Sequence, residues 1–411
     1  MNLSLKQSKI VNPNSKITIT GSKSESNRLL LLQALYSEIK IENLSNSDDS
    51  VLMQKALASS EAIVDIHHAG TAMRFLTAYF AAKENKTLVL TGSKRMKERP
   101  ISILVDALKQ LGAEISYKEN EGFPPLLIKG KKLTNHKVNL KANVSSQYIS
   151  ALLLIASKLE NGLELTLEGE ITSVPYINMT LALLNDIGIN TSFQKNVIKV
   201  LPKNNQLSKT ELTVESDWSS VSYFYSIVAL SSVGTQLKLA SYKRDSLQGD
   251  SVLTELYKEF GVSSTFNSDE LILEKTDIDS QDINFDLKNA PDIAQTIAAT
   301  AFGLGLKCDL FGLHTLKIKE TDRLVALKTE LEKLGAQVNI TENSLHLSSS
   351  NNINSSIETE TYNDHRMAMA FAPFALKTNL IIKDAKVVSK SYPTFWEDLK
   401  RIGFLTETNN N

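Results

Sequence analysis

Residues 106–115 read DALKQLGAEI, which joins the end of an amphipathic helix to a glycine and then to the start of a strand. The same order recurs at residues 181–190 (LALLNDIGIN), 254–262 (TELYKEFGV), 329–338 (TELEKLGAQV) and 398–403 (DLKRIG). The glycines of the copies are 76, 73, 74 and 68 residues apart, and they are Gly112, Gly188, Gly261, Gly335 and Gly403. Glycine is the expected left-handed cap of a helix. A period of about seventy residues suits a repeated βαβ-type module and predicts an α/β fold.

The beginning of the chain departs from this period. By counting back, an earlier copy should end near residue 38, but no glycine stands there. Residues 51–66 instead contain one helical pattern (VLMQKAL) and one strand pattern (AIVDI). We therefore expect the first unit to be abbreviated rather than shifted in phase.

Composition sets the class of protein. The 411 residues are enough for two or more domains with sizeable cores. A net charge of −1 creates no global field toward nucleic acid or a membrane surface, so neither is an expected partner. Cys308 is the single cysteine, and its apolar surroundings predict a buried structural thiol. The first residues lack an apolar signal core and no apolar run is long enough to span a membrane, so we expect a cytoplasmic protein.

The segment GSKSESNR, residues 21–28, follows a predicted strand at residues 16–20 and opens a leucine-rich helix. Its N-cap is expected to be Ser22 or Ser24. A helix N-terminus attracts anions, and Lys23 and Arg28 lie about one turn apart beside it, which would suit a phosphate. A solvated helix cap is the alternative interpretation.

Other predicted helices also begin with hydroxyl-bearing or charged residues. These segments are 67–75 (HHAGTAMRF), 93–100 (SKRMKERP), 145–148 (SSQY), 173–176 (SVPY), 289–292 (NAPD), 317–324 (KIKETDRL), 362–369 (YNDHRMAM) and 390–393 (KSYP). Arg74 is expected in the first turn of a helix over residues 75–82, where a cation opposes the helix dipole and so indicates an anionic partner. For Asp292 the alternative interpretation is an ordinary N-cap. For the basic loop, residues 93–100, the alternative is a solvated surface. Because the chain is neutral overall, these helix starts predict a local site for a small polyanion.

Seven of these segments, taken in order, carry a family resemblance across nearly the whole chain. They are residues 21–28 (GSKSESNR), 69–74 (AGTAMR), 95–100 (RMKERP), 145–147 (SSQ), 291–292 (PD), 319–323 (KETDR) and 363–369 (NDHRMAM). The set resembles the 3-phosphoshikimate 1-carboxyvinyltransferase (5-enolpyruvylshikimate-3-phosphate synthase) family of enolpyruvyl transferases. Each segment alone is a weak to moderate signal of the family, but the set in this order is highly specific to it.

The resemblance implies a two-lobed α/β (α+β) fold. Each lobe would contain about three βαβαββ units with pseudo-threefold symmetry, and one unit would be abbreviated. One lobe is expected to comprise residues 1–20 and 216–411, and the other residues 21–215, with the shortened unit near residues 45–70.

The resemblance also implies a reaction. The enolpyruvyl group of phosphoenolpyruvate would move to the 5-hydroxyl of shikimate 3-phosphate in a cleft between two closing lobes, with release of phosphate, on the route to chorismate and aromatic amino acids. The two substrates are the implied partners, no cofactor or metal is implied, and a monomer is expected.

Site residues are implied position by position. The catalytic residues would be Asp292 as proton acceptor and Glu320 as proton donor, with Lys23, and His365 as a secondary candidate. The shikimate 3-phosphate ligands would be Lys23, Ser24, Arg28, Ser145, Ser146, Gln147, Ser173, Asp292 and Lys319. The phosphoenolpyruvate ligands would be Lys23, Gly70, Arg99, Gln147, Arg323, Arg366 and Lys390.

Three positions depart from the family pattern. His68 stands where the family usually has Asn, Phe75 where it usually has Pro, and Thr315 where many members have an Asn that contacts shikimate. Sensitivity to glyphosate is therefore not implied. One alternative function is that of the UDP-N-acetylglucosamine enolpyruvyl transferases, many of which use a loop cysteine that the context of Cys308 does not match. The other is a non-catalytic anion-binding protein, which would not need both carboxylates.

Overall fold

The structure is a computed structural model that describes residues 1–10, 15–141, 145–203, 206–279 and 282–409. Its strands, in chain order, are β1 (Asn2–Lys6), β2 (Lys16–Ile17), β3 (Lys40–Glu42), β4 (Ile63–Asp65), β5 (Thr87–Thr91), β6 (Glu114–Tyr117), β7 (Leu126–Lys129), β8 (Lys137–Lys141), β9 (Leu163–Glu168), β10 (Thr191–Gln194), β11 (Val197–Val200), β12 (Glu211–Thr213), β13 (Gln236–Ala240), β14 (Val262–Asn267), β15 (Glu270–Lys275), β16 (Asp282–Asp286), β17 (Lys307–Phe311), β18 (Val338–Ile340), β19 (Leu345–Leu347), β20 (Ile357–Thr359), β21 (Leu380–Ile382) and β22 (Leu405–Asn409).

The α-helices are α1 (Lys23–Leu35), α2 (Asp48–Ala58), α3 (Gly70–Ala82), α4 (Ser102–Gln110), α5 (Ser146–Ala156), α6 (Val174–Asp186), α7 (Trp218–Ala229), α8 (Leu253–Leu256), α9 (Ala294–Gly303), α10 (Arg323–Lys333), α11 (His365–Phe371) and α12 (Phe395–Ile402). Short 3₁₀ helices lie at Met96–Glu98, Gly249–Val252, Tyr257–Phe260, Pro291–Ile293, His314–Ile318, Ala372–Leu376 and Ala385–Lys390.

The chain forms two compact units, each with its own hydrophobic core. Met1–Thr20 and Glu215–Asn411 form the discontinuous unit, and Gly21–Val214 form the inserted unit. Several helices, among them α5, α7 and α9, are buried on nearly every face. These three helices contain no charged residue for this reason, whereas a helix with one face in solvent carries a single apolar stripe.

The discontinuous unit repeats one βαβαββ module. The modules are β16–α9–β17–α10–β18–β19, β2–α7–β13–α8–β14–β15 and β20–α11–β21–α12–β22–β1. In each module the first two strands are parallel, and the final two add antiparallel to give a four-stranded sheet. The last module is completed by β1, so the N-terminal strand lies between β21 and β22.

The inserted unit contains two copies of the same module and one shortened copy. The full copies are β4–α3–β5–α4–β6–β7 and β8–α5–β9–α6–β10–β11. In the shortened copy, β12 pairs parallel to β3 beside α1 and α2, and among the described residues no antiparallel hairpin follows. The abbreviated unit expected from the sequence is therefore one that lacks its final two strands.

The five repeated glycines end their helices as predicted. Their φ angles lie between 66° and 119°, the left-handed region that only glycine adopts without strain. Two boundaries differ from the expectation. The strand predicted over residues 16–20 is limited to Lys16–Ile17, and α3 begins at Gly70 rather than at Phe75. Within the described residues no helix is long and apolar enough to cross a bilayer.

Candidate active site

The predicted site residues form two groups, one in each unit. Those of the discontinuous unit are Asp292, Lys319, Glu320, Arg323, His365, Arg366 and Lys390. Those of the inserted unit are Lys23, Ser24, Arg28, Gly70, Arg99, Ser145, Ser146, Gln147 and Ser173.

Short turns before α9 and α10 place the acidic residues. Asp292 lies within the 3₁₀ helix Pro291–Ile293, and its side chain does not cap α9. Asp322 does cap α10, because its carboxylate accepts hydrogen bonds from the amides of Leu324 (3.1 Å) and Val325 (3.2 Å). This cap fixes Arg323 as the first residue of α10. Asp292 is therefore not the ordinary N-cap given as the alternative.

The Arg323 guanidinium binds three carboxylates at once and is only 2% exposed. Its Nε donates to Asp364 Oδ2 at 2.6 Å. Its Nη1 donates to Asp292 Oδ1, and its Nη2 to Glu320 Oε2, both at 2.8 Å. The predicted proton acceptor and proton donor are therefore held by adjacent nitrogens of a single arginine.

Asp292 is also contacted by two further cations. Lys319 Nζ lies 3.3 Å from Oδ1, and Arg366 Nη2 lies 3.3 Å from Oδ2. Burial acts to raise the pKa of the Asp292 carboxyl, but the three cations outweigh burial and hold this pKa well below its usual range. Burial lowers the pKa of Lys319 even though Asp292 favours the charged amine. Asp292 is therefore an ionised carboxylate whose charge is compensated by three cations.

The remaining two predicted residues of this unit lie beside the turn before α11. His365 is 2% exposed, and its Nδ1 lies 3.7 Å from Asp364 Oδ1. Lys390 Nζ donates to the backbone oxygen of Asn363 at 2.5 Å. Asp364 thus links Arg323 to His365, a role that sequence reasoning did not assign although the residue lies within the NDHRMAM segment.

In the inserted unit, Ser22 rather than Ser24 caps α1, since its Oγ accepts from the amide of Glu25 at 3.5 Å. Lys23, the first residue of α1, places its Nζ 3.9 Å from Asp49 Oδ1. Ser24 follows on the same turn. The predicted phosphate-binding segment is therefore a capped helix start with a lysine beside it.

Arg28 is buried and bound within the inserted unit. Its Nε donates to Thr180 Oγ1 (2.8 Å), its Nη1 to the backbone oxygen of Ser24 (2.7 Å), and its Nη2 to Ser150 Oγ (3.0 Å) and the backbone oxygen of Tyr176 (3.2 Å). Burial lowers the pKa of Arg28 to about 10. These bonds join α1 to α5 and α6, so Arg28 has a structural role in addition to the ligand role predicted for it.

The Arg99 guanidinium lies against the first residue of α3. A Cβ added to Gly70 would stand 2.6 Å from Arg99 Nη1, so only glycine permits this approach. Ala69, at the N-cap position, has no side chain that could cap the helix. Gln147 Nε2, from the first turn of α5, donates to Thr71 Oγ1 at 3.2 Å. Helix amides, a guanidinium and an amide side chain are thus brought together around the start of α3, which suits an anion.

Arg74 differs from its expected place and role. Because α3 begins at Gly70, Arg74 lies in the second turn, so the argument from the helix dipole does not apply. Its guanidinium donates to the backbone oxygens of Gly70 (3.1 Å) and Pro100 (3.3 Å), and Tyr148 Oη donates to Pro100 at 2.6 Å. These bonds hold the turn that carries Arg99 against α3. The inference of an anionic partner from Arg74 is therefore wrong.

Serines open the other two helices of this group. Ser145 Oγ accepts from the amide of Gln147 at 3.4 Å and caps α5, and Ser146 is buried beside it. Ser173 precedes α6 with a φ of 54° and makes no side-chain cap. In the basic loop, Arg95 and Lys97 pair with surface glutamates, whereas Arg99 is buried. Most of that loop is therefore the solvated surface given as the alternative.

Residues 52–399 match the model of the family described as EPSP synthase (3-phosphoshikimate 1-carboxyvinyltransferase). The chain belongs to the EPSP synthase family. A 3-phosphoshikimate 1-carboxyvinyltransferase of Bacteroides fragilis is 45% identical over 393 residues, which cover 94% of this chain and 95% of that protein. One from Haemophilus influenzae is 37% identical over 420 residues, covering 94% of this chain and 96% of its own.

The fold agrees with that of solved family members. The structure of EPSP synthase from Acinetobacter baumannii superposes with a TM-score of 0.77 at 21% identity, covering 99% of this chain and 100% of that one. The family resemblance and the α/β fold class expected from the sequence are both confirmed.

The three departures from the EPSP synthase pattern occupy different surroundings. Phe75 is fully buried in α3, and its ring centroid lies 5.5 Å from Arg28 Cζ, so it adds a cation–π contact to that arginine. His68 Nε2 lies 3.9 Å from Asp48 Oδ2. Thr315 Oγ1 is buried in the 3₁₀ helix His314–Ile318 without a hydrogen-bond partner among the described residues. Cys308 is buried, and burial raises the pKa of its thiol, as expected for a structural cysteine.

Proposed function

We propose that this protein transfers the enolpyruvyl group of phosphoenolpyruvate to the 5-hydroxyl of shikimate 3-phosphate and releases phosphate. Membership of the EPSP synthase family supports the reaction. The observation that carries the mechanism is the Arg323 guanidinium, whose two Nη atoms hold Asp292 and Glu320 side by side. Two carboxylates so placed can move two protons, which binding alone would not require.

The proton transfers follow from the bonds that change. In its protonated form Glu320 donates a proton to the methylene carbon of phosphoenolpyruvate, and the neighbouring carbon becomes cationic. The 5-hydroxyl oxygen attacks this carbon while Asp292 accepts the hydroxyl proton. Phosphate then leaves with the proton that Asp292 had accepted, and Glu320 recovers a proton from the methyl group, which restores the double bond.

Substrate binding adjusts Asp292 for this role. The cations that hold its pKa low are Arg366, Lys319 and Arg323. As phosphate and carboxylate groups of the substrates engage these cations, less positive charge acts on Asp292, and its pKa rises toward that of an effective base. The carboxylate thus stays ionised before binding and becomes more basic afterwards.

The other predicted residues bind the substrates. We assign Gly70, Arg99, Gln147, Arg323, Arg366 and Lys390 to phosphoenolpyruvate, Ser24, Arg28, Ser145, Ser146, Ser173 and Lys319 to shikimate 3-phosphate, and Lys23 to both. Gln147 and Asp292 also contact shikimate 3-phosphate, and His365 is a secondary proton-transfer candidate. Guanidinium forks bind such oxyanions through paired, charge-assisted hydrogen bonds, each contributing about 1.5–3 kcal/mol.

Phosphate release from phosphoenolpyruvate tests the function. Release is expected with shikimate 3-phosphate and absent with UDP-N-acetylglucosamine. Release with neither acceptor would indicate a non-catalytic anion-binding protein. Asp292→Ala should retain shikimate 3-phosphate binding, measured by calorimetry, while turnover falls by about 10²–10⁴-fold. Full activity of that variant would refute its role as base.

We also propose that the enzyme acts as a monomer in the cytoplasm. Membership of the EPSP synthase family supports this proposal. Sedimentation at working concentration should give the mass of one chain; a larger species would contradict the monomer.

A further inference from the structure

Asp250 is a buried carboxylate that the proposed mechanism does not use. It lies in the 3₁₀ helix Gly249–Val252 of the discontinuous unit and is 2% exposed. Its Oδ2 accepts a hydrogen bond from Ser219 Oγ, and its Oδ1 has no hydrogen-bond partner among the described residues. A buried carboxylate with so few partners is costly, so its interactions with the site need an explanation.

Ser219 connects Asp250 to the predicted phosphoenolpyruvate ligand Arg366. The serine is the second residue of α7, and its Oγ accepts a hydrogen bond from Arg366 Nη2 at 3.2 Å. A serine hydroxyl has one proton to donate and two lone pairs. Because Asp250 takes the proton, the lone pairs of Ser219 are directed to Arg366. The carboxylate therefore sets the direction of the hydroxyl, and the hydroxyl holds the guanidinium.

Gln248 joins α7, which carries Ser219, to the 3₁₀ helix Gly249–Val252, which carries Asp250. Its side-chain Oε1 accepts from the amide of Trp218 at 2.9 Å, and its Nε2 donates to the backbone oxygen of Ser216 at 2.8 Å. The loop before Asp250 is thereby bound to the first turn of α7. The hydrogen bonds of Gln248 thus hold Asp250 and Ser219 close to each other.

We propose that Asp250 and Ser219 are positioning residues that orient the Arg366 guanidinium for phosphoenolpyruvate, an inference that rests on the proposed function. Two further contacts of Arg366 run to Asp292, from Nη1 to the backbone oxygen (3.0 Å) and from Nη2 to Oδ2 (3.3 Å). An incoming anion competes with the Asp292 carboxylate for this guanidinium. Ser219 and the backbone oxygen of Asp292 then keep Arg366 in place.

The protonation of Asp250 supplies a signature of this role. Burial raises the pKa of Asp250 to about 6; Asp292 and Asp217 act in the same direction, whereas Arg366 and the hydrogen bond from Ser219 lower this pKa. Above this pH the carboxylate only accepts, so Ser219 donates to it. Below this pH the carboxyl can itself donate to Ser219, and the ordering of the hydroxyl is weakened. We expect kcat/KM for phosphoenolpyruvate to fall below about pH 6 in the wild type, and Asp250→Asn to lack this inflection.

Ser219→Ala in the full chain is the first test. Loss of a hydrogen bond to a charged group should raise the KM for phosphoenolpyruvate about tenfold, with a smaller change in kcat and little change in the KM for shikimate 3-phosphate. Ser219→Thr, which keeps the hydroxyl, should restore most of the KM. Ser226→Ala is the matched control, because Ser226 is a fully buried serine of α7 whose Oγ accepts from Thr300 at 2.8 Å. It should lose stability without a change in KM.

Variants of Asp250 and Arg366 test whether Asp250 acts by orienting the Ser219 hydroxyl or through its charge. Asp250→Asn keeps an acceptor for Ser219 and should raise the KM for phosphoenolpyruvate less than Asp250→Ala does. In an Arg366→Ala background, Ser219→Ala should add no further loss of phosphoenolpyruvate affinity, measured by calorimetry where turnover is too slow. Two results would overturn the inference if the wild type is active. One is an unchanged KM for phosphoenolpyruvate in Ser219→Ala. The other is a loss of phosphoenolpyruvate affinity from Ser219→Ala that is as large in the Arg366→Ala background as in the wild type. A wild type without turnover refutes the proposed function instead.

Discussion

At the scale of single residues, Gly70 controls where Arg99 can lie. A methyl group at residue 70 would stand 2.6 Å from Arg99 Nη1 and displace a flexible guanidinium rather than backbone. We therefore expect Gly70→Ala to fold normally but to raise the KM for phosphoenolpyruvate about tenfold. Steady-state kinetics with each substrate varied in turn would measure this. In an Arg99→Lys background the same change should have a much smaller effect; an equal effect would show that Gly70 acts by another route.

Asp250 makes stability depend on pH in a direction opposite to that of a salt-bridged carboxylate. Burial raises its pKa from 3.8 to about 6, so between these values the folded protein binds more protons than the unfolded chain. Stability conferred by this residue is therefore lost as the pH rises through about 4 to 6, by up to about 3 kcal/mol. Asp250→Asn should stabilise the protein at pH 7.5 and have little effect at pH 4. Urea unfolding at both values tests this, and an advantage that is equal at the two pH values would contradict it.

At the scale of the element, the repeated glycines differ in what surrounds them. Gly112 has a φ of 99°, and a Cβ added there would have Thr134 Oγ1 as its nearest neighbour at 3.9 Å, so Gly112→Ala meets only backbone strain of about 1–2 kcal/mol. At Gly188 the Cβ would also meet Ser208 Oγ at 2.7 Å and Lys203 Nζ at 3.0 Å. Gly188→Ala should therefore cost more than Gly112→Ala in urea unfolding. Gly112→Asn, which tolerates the left-handed region, should cost less than the alanine variant; equal losses for all three would refute this explanation.

At the scale of the whole molecule, the N-terminal strand completes the last sheet of the discontinuous unit. β1 pairs with β21 on one side and β22 on the other, and Leu3 and Leu5 are buried in the core. Deleting residues 1–6 removes a central strand and leaves two strands without partners on that side. Hydrogen exchange should show lost protection in β21 and β22 and retained protection in the sheets of the inserted unit. Ser4→Thr, which preserves the strand, is the control; retained protection after the deletion would contradict this role of β1.

Much of the architecture could be predicted because it depends on local chemistry. The left-handed glycines at 112, 188, 261, 335 and 403 mark helix ends by backbone geometry alone, and their spacing indicated the module and its shortened first copy. Element boundaries differ from the prediction where a neighbouring element decides them. The strand after residue 16 ends at Ile17, and α3 begins five residues before its first expected residue, Phe75.

The sequence by itself determined the family, the module and the types of residue available for an anion site, because these rest on short local segments and on the order and spacing of those segments along the chain. Only the tertiary structure decided which of them meet. Arg323 binds Asp364 and Arg366 binds Ser219 across 41 and 147 residues of chain, and Arg74 supports a turn rather than an anion. Such contacts depend on how buried helices pack, and helix propensities and caps carry no information over those distances.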